Sequence, residues 1–460
     1  MEIGARPRLR LRRPVLAGAL ALVAAGTAGA QSNDEIQAGV QFNFSTPGAR
    51  SLGLGGAFLG AADDATAAYT NPAGLAQLVA PEVSLEARAW SYSTRYSERG
   101  HTPADELTGI GLDVVRGLAD GEREDDAAAL SFLSYTHAGR RWAAAVYRHQ
   151  LAEYEASLES EGPFAGLRAG TERVFPARSR LSLSIAGIGV AAAARLGDGL
   201  YLGAGVARYR LQLGARTERY FRAEPTGDPL ADALTGNHYG PADFSAANVA
   251  NLQTQQGDDH GLAWTAGLLW RFDGRWSVGG VYRRGPDFDF RATFTDGPRG
   301  LRPGEVDPSL GGAGIFHVPD AWGLGVAYRP TDAVLIALDW DRVEYSDLGD
   351  DPVNLLRAAQ GRLADFAIDD ADEVHLGVEY QALGLRHPLA LRLGAWLDPD
   401  HELRYTGGVH ALRARFRAGE DQVHLTAGFG LVLRRAQFDL AADFSERVDT
   451  LSVSSVVRFR

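Results

Sequence analysis

From residue 82 onward, apolar and polar side chains alternate with period two in one run after another. Val423, Leu425, Ala427, Phe429, Leu431 and Leu433 share a face opposite Gln422, His424, Thr426, Gly428, Gly430 and Arg434. Val374, Leu376, Val378 and Tyr380 oppose Glu373, His375, Gly377, Glu379 and Gln381. A strand sends successive side chains to opposite faces, so this period marks strands with one apolar side. Fourteen are predicted, over 82–93, 127–137, 141–156, 177–196, 200–217, 258–273, 276–295, 317–330, 332–346, 371–383, 386–397, 421–433, 435–445 and 449–459. Long connections follow strands 1, 3, 5, 7, 9 and 11. Tight ones follow the even strands, as at Gly197-Asp198-Gly199 and Asp273-Gly274-Arg275. Only the last gap, Glu446–Val448, is short on the long-loop side.

The polar face is not that of a soluble sandwich. It carries Gly, Ala, Ser and isolated charges of both signs, with Arg271, Arg283, Arg329, Arg392, Asp339, Asp341, Glu373, Glu379, Asp439 and Asp443 predicted inward. That composition suits a barrel interior, and the Leu, Val and aromatic face suits lipid. Trp90, Tyr92, Trp142, Trp264, Trp270, Trp276, Trp322, Tyr328, Trp340, Tyr345 and Trp396 stand near strand ends, where membrane-interface belts form. Alternating long and short connections are those of an outer-membrane barrel with short periplasmic turns. The expected fold is therefore all-β, a 14-stranded antiparallel transmembrane β-barrel with an N-terminal hatch of short helices and loops. Residues 1–30 are expected to be a signal peptide, 31–80 the hatch or plug, and 81–460 the barrel.

The signal peptide rests on a basic stretch with Arg6, Arg8, Arg10, Arg12 and Arg13, an apolar core over Val15–Ala25, and Ala28-Gly29-Ala30 as the cleavage site. Its removal leaves 41 Arg against 57 carboxylates, 41 − 57 = −16, from 46 and 58 in the full chain. There is no lysine. An acidic chain without a basic run is a poor nucleic-acid binder, so no nucleic-acid partner is expected. With no cysteine, neither disulfides nor thiolate metal sites can form. Nothing after residue 30 reaches the ~18 apolar residues a membrane helix needs.

Between the leader and the first strand lies Pro47–Leu75, too rich in Gly and Ala for a strand or an ordinary helix. Asp63 or Asp64 is placed to cap a short helix over Ala65–Tyr69, because a carboxylate accepts free N–H groups at a helix start. Pro72 disfavours helical geometry at Asn71 and can begin a second turn, and Asn71 can bond the backbone groups exposed there. Gly53, Gly55 and Gly56 permit a thin, closely packed chain inside a barrel. Arg50 is the single cation between residues 31 and 87, suited to a ligand carboxylate or to a hatch or lumen acid.

This segment resembles the hatch of the FadL-type family, outer-membrane transporters of long-chain fatty acids and other hydrophobic compounds. The resemblance is carried by Gly53-Leu54-Gly55-Gly56-Ala57, Ala62-Asp63-Asp64-Ala65 and Asn71-Pro72-Ala73-Gly74. Val318-Pro319-Asp320, Gly325–Pro330, Leu376–Tyr380 and Leu391–Gly394 add to it. It implies a bacterial outer-membrane, multi-pass barrel embedded in lipid and plugged by its N-terminus. It also implies passive uptake of a hydrophobic small molecule such as a fatty acid or aromatic hydrocarbon. Phe42, Phe44 and Phe58, with Arg50, become candidate ligand contacts, and sideways exit through a wall gap is implied, with Gly187-Ile188-Gly189 or Gly285-Pro286 as candidate breaks. Apolar patterns at Leu107–Leu118, Leu230–Leu252 and Val353–Phe366 predict helices in three outer loops. The lead-in Pro47-Gly48-Ala49-Arg50-Ser51 also resembles PorV-like relatives, which act as accessories in protein secretion or surface assembly. That alternative would bring a protein partner.

No G-x-S-x-G, H-E-x-x-H or P-loop is present, and Gly53-Leu54-Gly55 lacks the third glycine and βαβ context of a dinucleotide site. The reading is therefore of a non-enzyme: no catalytic residue, no metal site and no cofactor.

Overall fold

The computed structural model describes residues 46–101, 107–167, 170–174, 176–221, 239–296, 312–349, 365–408, 413 and 416–459. The expected leader, Phe42 and Phe44 lie outside these, as do residues 230–238 of the second predicted loop helix and 353–364 of the third. Fourteen antiparallel strands close on themselves. They are β1 (Glu82–His101), β2 (Gly117–Ala138), β3 (Trp142–Ser160), β4 (Ala177–Arg195), β5 (Leu200–Tyr220) and β6 (Val249–Arg271). β7 runs Trp276–Arg284 and resumes over Asp287–Asp296; β8 runs Gly312–His317 and resumes over Ala321–Thr331. The rest are β9 (Val334–Val343), β10 (Ala371–Ala382), β11 (Leu389–Asp398), β12 (Gln422–Val432), β13 (Ala436–Phe444) and β14 (Val448–Arg458). Closure is the β1–β14 ladder, Glu82↔Arg458 to Tyr92↔Val448. A closed sheet leaves no lipid-facing edge, the condition a bilayer imposes on strands.

Burial is inside out relative to a water-soluble fold. On β11, Leu393 is 68% exposed and its neighbour Arg392 only 2%. Leu324, Leu338, Leu376, Leu425, Leu440 and Leu451 all point outward. In water this belt would be one vast sticky patch; against acyl chains it is the matching solvent. Trp276 stacks on Tyr328 with ring centroids 4.2 Å apart, and Tyr282 lies 4.2 Å from Trp322, on the same outer surface. Tyr92 and Trp396 do not join the belt. Both share the parity of inward residues, and Trp396 is held between His375 and His424 with its indole N–H on Asp443 at 3.0 Å. Tyr345 is likewise buried, stacked on His401 at 3.8 Å.

Five of the first six strands, all but β4, reach further outward than alternation indicated. β2 begins at Gly117, because the polar run Ala119–Asp126 pairs with β1 in an outer region where no lipid face is required. The helix expected around Leu107–Leu118 is not formed: the described part is turns leading into β2, and of the third loop's pattern Val249 and Leu252 belong to β6. Apolar spacing there served loop packing and strand extension rather than a helix.

The segment from Thr46 crosses the lumen as α1 (Ala49–Leu52), α2 (Ala67–Thr70) and a 3-10 turn (Pro72–Gln77). It sits on strand glycines. A Cβ at Gly279 would overlap the Leu59 carbonyl, one at Gly377 the Leu54 carbonyl, and one at Gly203 the Pro72–Ala73 backbone. Glycine on the inward face thus answers a steric demand for two backbones in contact.

Gly279→Val should therefore unseat the hatch and raise conductance across a planar bilayer. Gly280→Val, one residue along, meets Leu324 and the Gly323 carbonyl on the neighbouring strand but no part of the hatch, and should leave conductance unchanged. Equal conductance for the two variants would contradict this seating.

Candidate functional site

The hatch is held by buried charge. Glu379 on β10 receives Arg50 through both oxygens, at 3.1 and 3.3 Å, and Arg392 of β11 at 2.6 Å. Arg392 reaches on to Asp439 at 2.7 Å. Arg50 also bonds Asp63 at 2.5 Å, and Asp63 takes Arg329 of β8 at 2.9 Å. Burial works against the charge on Arg50, yet Asp63, Glu379 and Asp64 outweigh it and hold the guanidinium protonated well above its ordinary value. A second anchor joins Glu86 of β1 to the Gly48 N–H at 2.9 Å, with Arg88 and Ser452 completing its shell. Asp339 of β9 accepts the N–H groups of Phe58 and Leu59 at 2.6 and 2.7 Å, and Nδ1 of His375 donates to the Gly55 carbonyl at 2.7 Å.

The remaining candidates are structural groups of this plug. Asp64 closes a turn onto Thr66 ahead of α2, which starts at Ala67, two residues past the predicted Ala65. The Asn71 side chain accepts from Ala73 N–H at 3.2 Å and donates to Leu59 and Leu268 carbonyls, both at 3.1 Å. Pro72 opens the 3-10 turn. Gly55 and Gly56 take φ of 65° and 84°, the left-handed region glycine enters without strain. Gly53 packs on the Gly428 backbone. Phe58 is wholly buried, with the Arg50 guanidinium 5.2 Å from its ring. Neither Phe58 nor Arg50 is among the residues that wall the two cavities described next.

Two cavities lie against the hatch and share Arg283 and Ala321 in their walls. The first is walled by Tyr69 of α2, Tyr147 and Leu151 of β3, Tyr209 of β5, and the Gly285-Pro286 and Val318-Pro319 breaks. Burial holds the Tyr69 phenol above its ordinary pKa, so the ring stays neutral. The second gathers Asp341, Glu373, His375, Trp396 and Asp443 around Leu52, Gly55 and Gly56. The tyrosines were readable as inward by parity but did not stand out from other strand aromatics.

The wall beside the first cavity is incomplete. β2 and β3 pair only from Phe132↔His149 to Ala138↔Ala143, although both strands continue outward. Beyond that point β2 stays on β1 and β3 stays on β4, with a bulge between Gln150 and Ala152. Upper β3 leans inward to β1, where the Tyr92 hydroxyl donates to the Glu153 carbonyl at 2.6 Å. Unpaired backbone at membrane depth is tolerated where it borders a cavity. The candidates named from sequence differ. Gly187–Gly189 is paired on both sides and makes room for the Tyr209 and Tyr147 rings. Gly285-Pro286 does break β7, but Val318 N–H on the Pro286 carbonyl at 3.0 Å and Gly285 N–H on Asp320 at 3.0 Å bridge it.

The family described as outer membrane protein transport protein (OMPP1/FadL/TodX) matches residues 166–401, just over half of the chain. The chain belongs to this FadL/TodX family. Its barrel is accordingly a bacterial outer-membrane one, and the family is one of transport proteins. Among solved structures it resembles a Pseudomonas aeruginosa FadL homologue, at 15% identity, TM-score 0.60, covering 91% of this chain and all of that one (100%). The Pseudomonas putida toluene transporter TodX is similar at 16% identity and TM-score 0.54, over 91% and 100% of the two chains. The Ralstonia pickettii toluene transporter TbuX is similar at 15% identity and TM-score 0.53, over the same 91% and 100%. At such identities these likenesses speak for the fold. No curated protein matches at the level of sequence.

Removing one partner of a buried pair strands the others, at a cost of about 3–5 kcal/mol. Glu379→Ala should thus raise the open population of the hatch about a hundredfold or more, since about 1.4 kcal/mol is tenfold. The cysteine-free chain makes this measurable: Ser51→Cys, 1% exposed in the native structure, should react with maleimide far faster alongside Glu379→Ala. Unchanged labelling would contradict the anchoring role.

Proposed function

We propose that this protein is a channel for passive uptake of hydrophobic small molecules, fatty acids or aromatic hydrocarbons, across the outer membrane. The observation that carries the reading is the aromatic cavity, placed between the plug and a stretch of wall where neighbouring strands part. Tyr69 gives the hatch itself a face in that cavity, so a shift of the plug would change the ligand's surroundings. A ligand leaving between β2 and β3 would pass from apolar walls to acyl chains without crossing water. The printed names of two similar structures, toluene transporters, agree with a small apolar ligand.

The cavities favour uptake over a PorV-like accessory role, which needs a stable barrel and no internal site. Residues 1–30 as a cleaved leader and residues 31–80 as the plug complete the proposal.

Liposomes containing the purified protein should take up labelled fatty acid or toluene faster than protein-free ones. Leu151→Trp, which fills the cavity at the β3 bulge, should slow uptake about tenfold, equivalent to about 1.4 kcal/mol. Equal rates with and without protein would overturn the reading.

A further inference from the structure

Arg283 lines both cavities. One terminal nitrogen donates to the Thr70 carbonyl of the hatch at 2.6 Å, and the guanidinium lies 5.3 Å from the Tyr69 ring centroid. Its Nε is buried and makes no hydrogen bond. Arg50, Arg329 and Arg392 are each taken up by carboxylates of the hatch or wall, and Arg284 by Asp320 and Asp287. Among the described residues no carboxylate lies within ion-pair distance of Arg283.

A buried donor without an acceptor costs about 1–3 kcal/mol, more when charged. A carboxylate arriving through the cavity would remove that cost, and a planar guanidinium meets a carboxylate in a two-bonded fork. The walls next to it are the phenol rings of Tyr69, Tyr147 and Tyr209, with the His149 ring tilted against Tyr69 at 3.9 Å between centroids. Such rings favour a flat aromatic body in stacked or edge-on contact. The second cavity presents Asp341, Glu373 and Asp443. Asp341 and Glu373 lie 3.7 and 3.5 Å from His375 Nε2, and Asp443 lies 3.0 Å from His424 Nδ1, so the basic groups there are already engaged by acids and offer an anionic head less than Arg283 does.

We propose that Arg283 sets ligand specificity, and that the favoured ligands are aromatic monocarboxylates rather than neutral hydrocarbons. This rests on the uptake reading and narrows it. Calorimetric titration of the full-length protein in detergent with benzoate, toluene and octanoate tests it. Wild type should bind benzoate about tenfold more tightly than toluene or octanoate, a difference of about 1.4 kcal/mol. Arg283→Gln should weaken benzoate about tenfold and leave toluene within about twofold, with Arg283→Lys in between. If the Gln variant binds nothing, the Lys variant decides: weakened benzoate with retained toluene supports the proposal, and unchanged benzoate overturns it. Equal binding of benzoate and toluene, or of benzoate and octanoate, by wild type overturns the proposal and leaves uptake standing. Binding of no probe by wild type overturns both.

Discussion

Glu379 holds two arginines that come from different parts of the chain, Arg50 from the plug and Arg392 from the wall. In the enclosed lumen the three charges are far from bulk water, so each depends on the others for its solvation. The rest of the interior is arranged around that dependence. Asp63 extends the network to Arg329, Asp439 supports Arg392, and glycines on the surrounding strands let the hatch backbone come close enough for the bonds to form. An apolar plug could fill the same space, but it would slide. Directional charge pairs define one seat.

The anchors are unevenly placed around the hatch. The stretch from Gly48 to Asp64 is tied to β1, β8, β9 and β10 by carboxylates and an arginine. The stretch from Tyr69 to Gln77 is held by single neutral or singly charged hydrogen bonds: Asn71 to Leu268, Arg283 to Thr70, Arg271 to Gln77. The aromatic cavity opens beside this second, more lightly held part. Beside it too, β2 and β3 part. Under the uptake reading, the plug is fixed at one end and adjustable at the other, and the adjustable end carries the ring that meets the ligand.

Much of this was legible along the chain. Strict period two placed Leu376 and Leu393 outward and Glu379 and Arg392 inward, and loop lengths ordered the strands around the barrel. The glycine-rich plug was visible because no strand or helix accommodates it. What misled was spacing without a lipid constraint: Leu107–Leu118 scanned as a helix, and Ala119–Asp126 scanned as loop although it is strand. Above the bilayer, alternation is not enforced, so its loss does not end a strand. Residue type grouped Trp396 with the interface aromatics, while its parity pointed inward, where it packs between His375 and His424.

The amino-acid sequence by itself determined the barrel, its strand count, the inward and outward faces and the existence of a plug, because each follows from local periodicity and from backbone preferences of glycine and proline. Only the tertiary structure decided that Arg50 is spent on Glu379 and Asp63, that Arg283 faces the cavities, and that the wall parts between β2 and β3. Those outcomes depend on which side chains meet across hundreds of residues, and on where a strand leans away from its neighbour. Neither the meeting nor the leaning leaves a periodic trace in the chain.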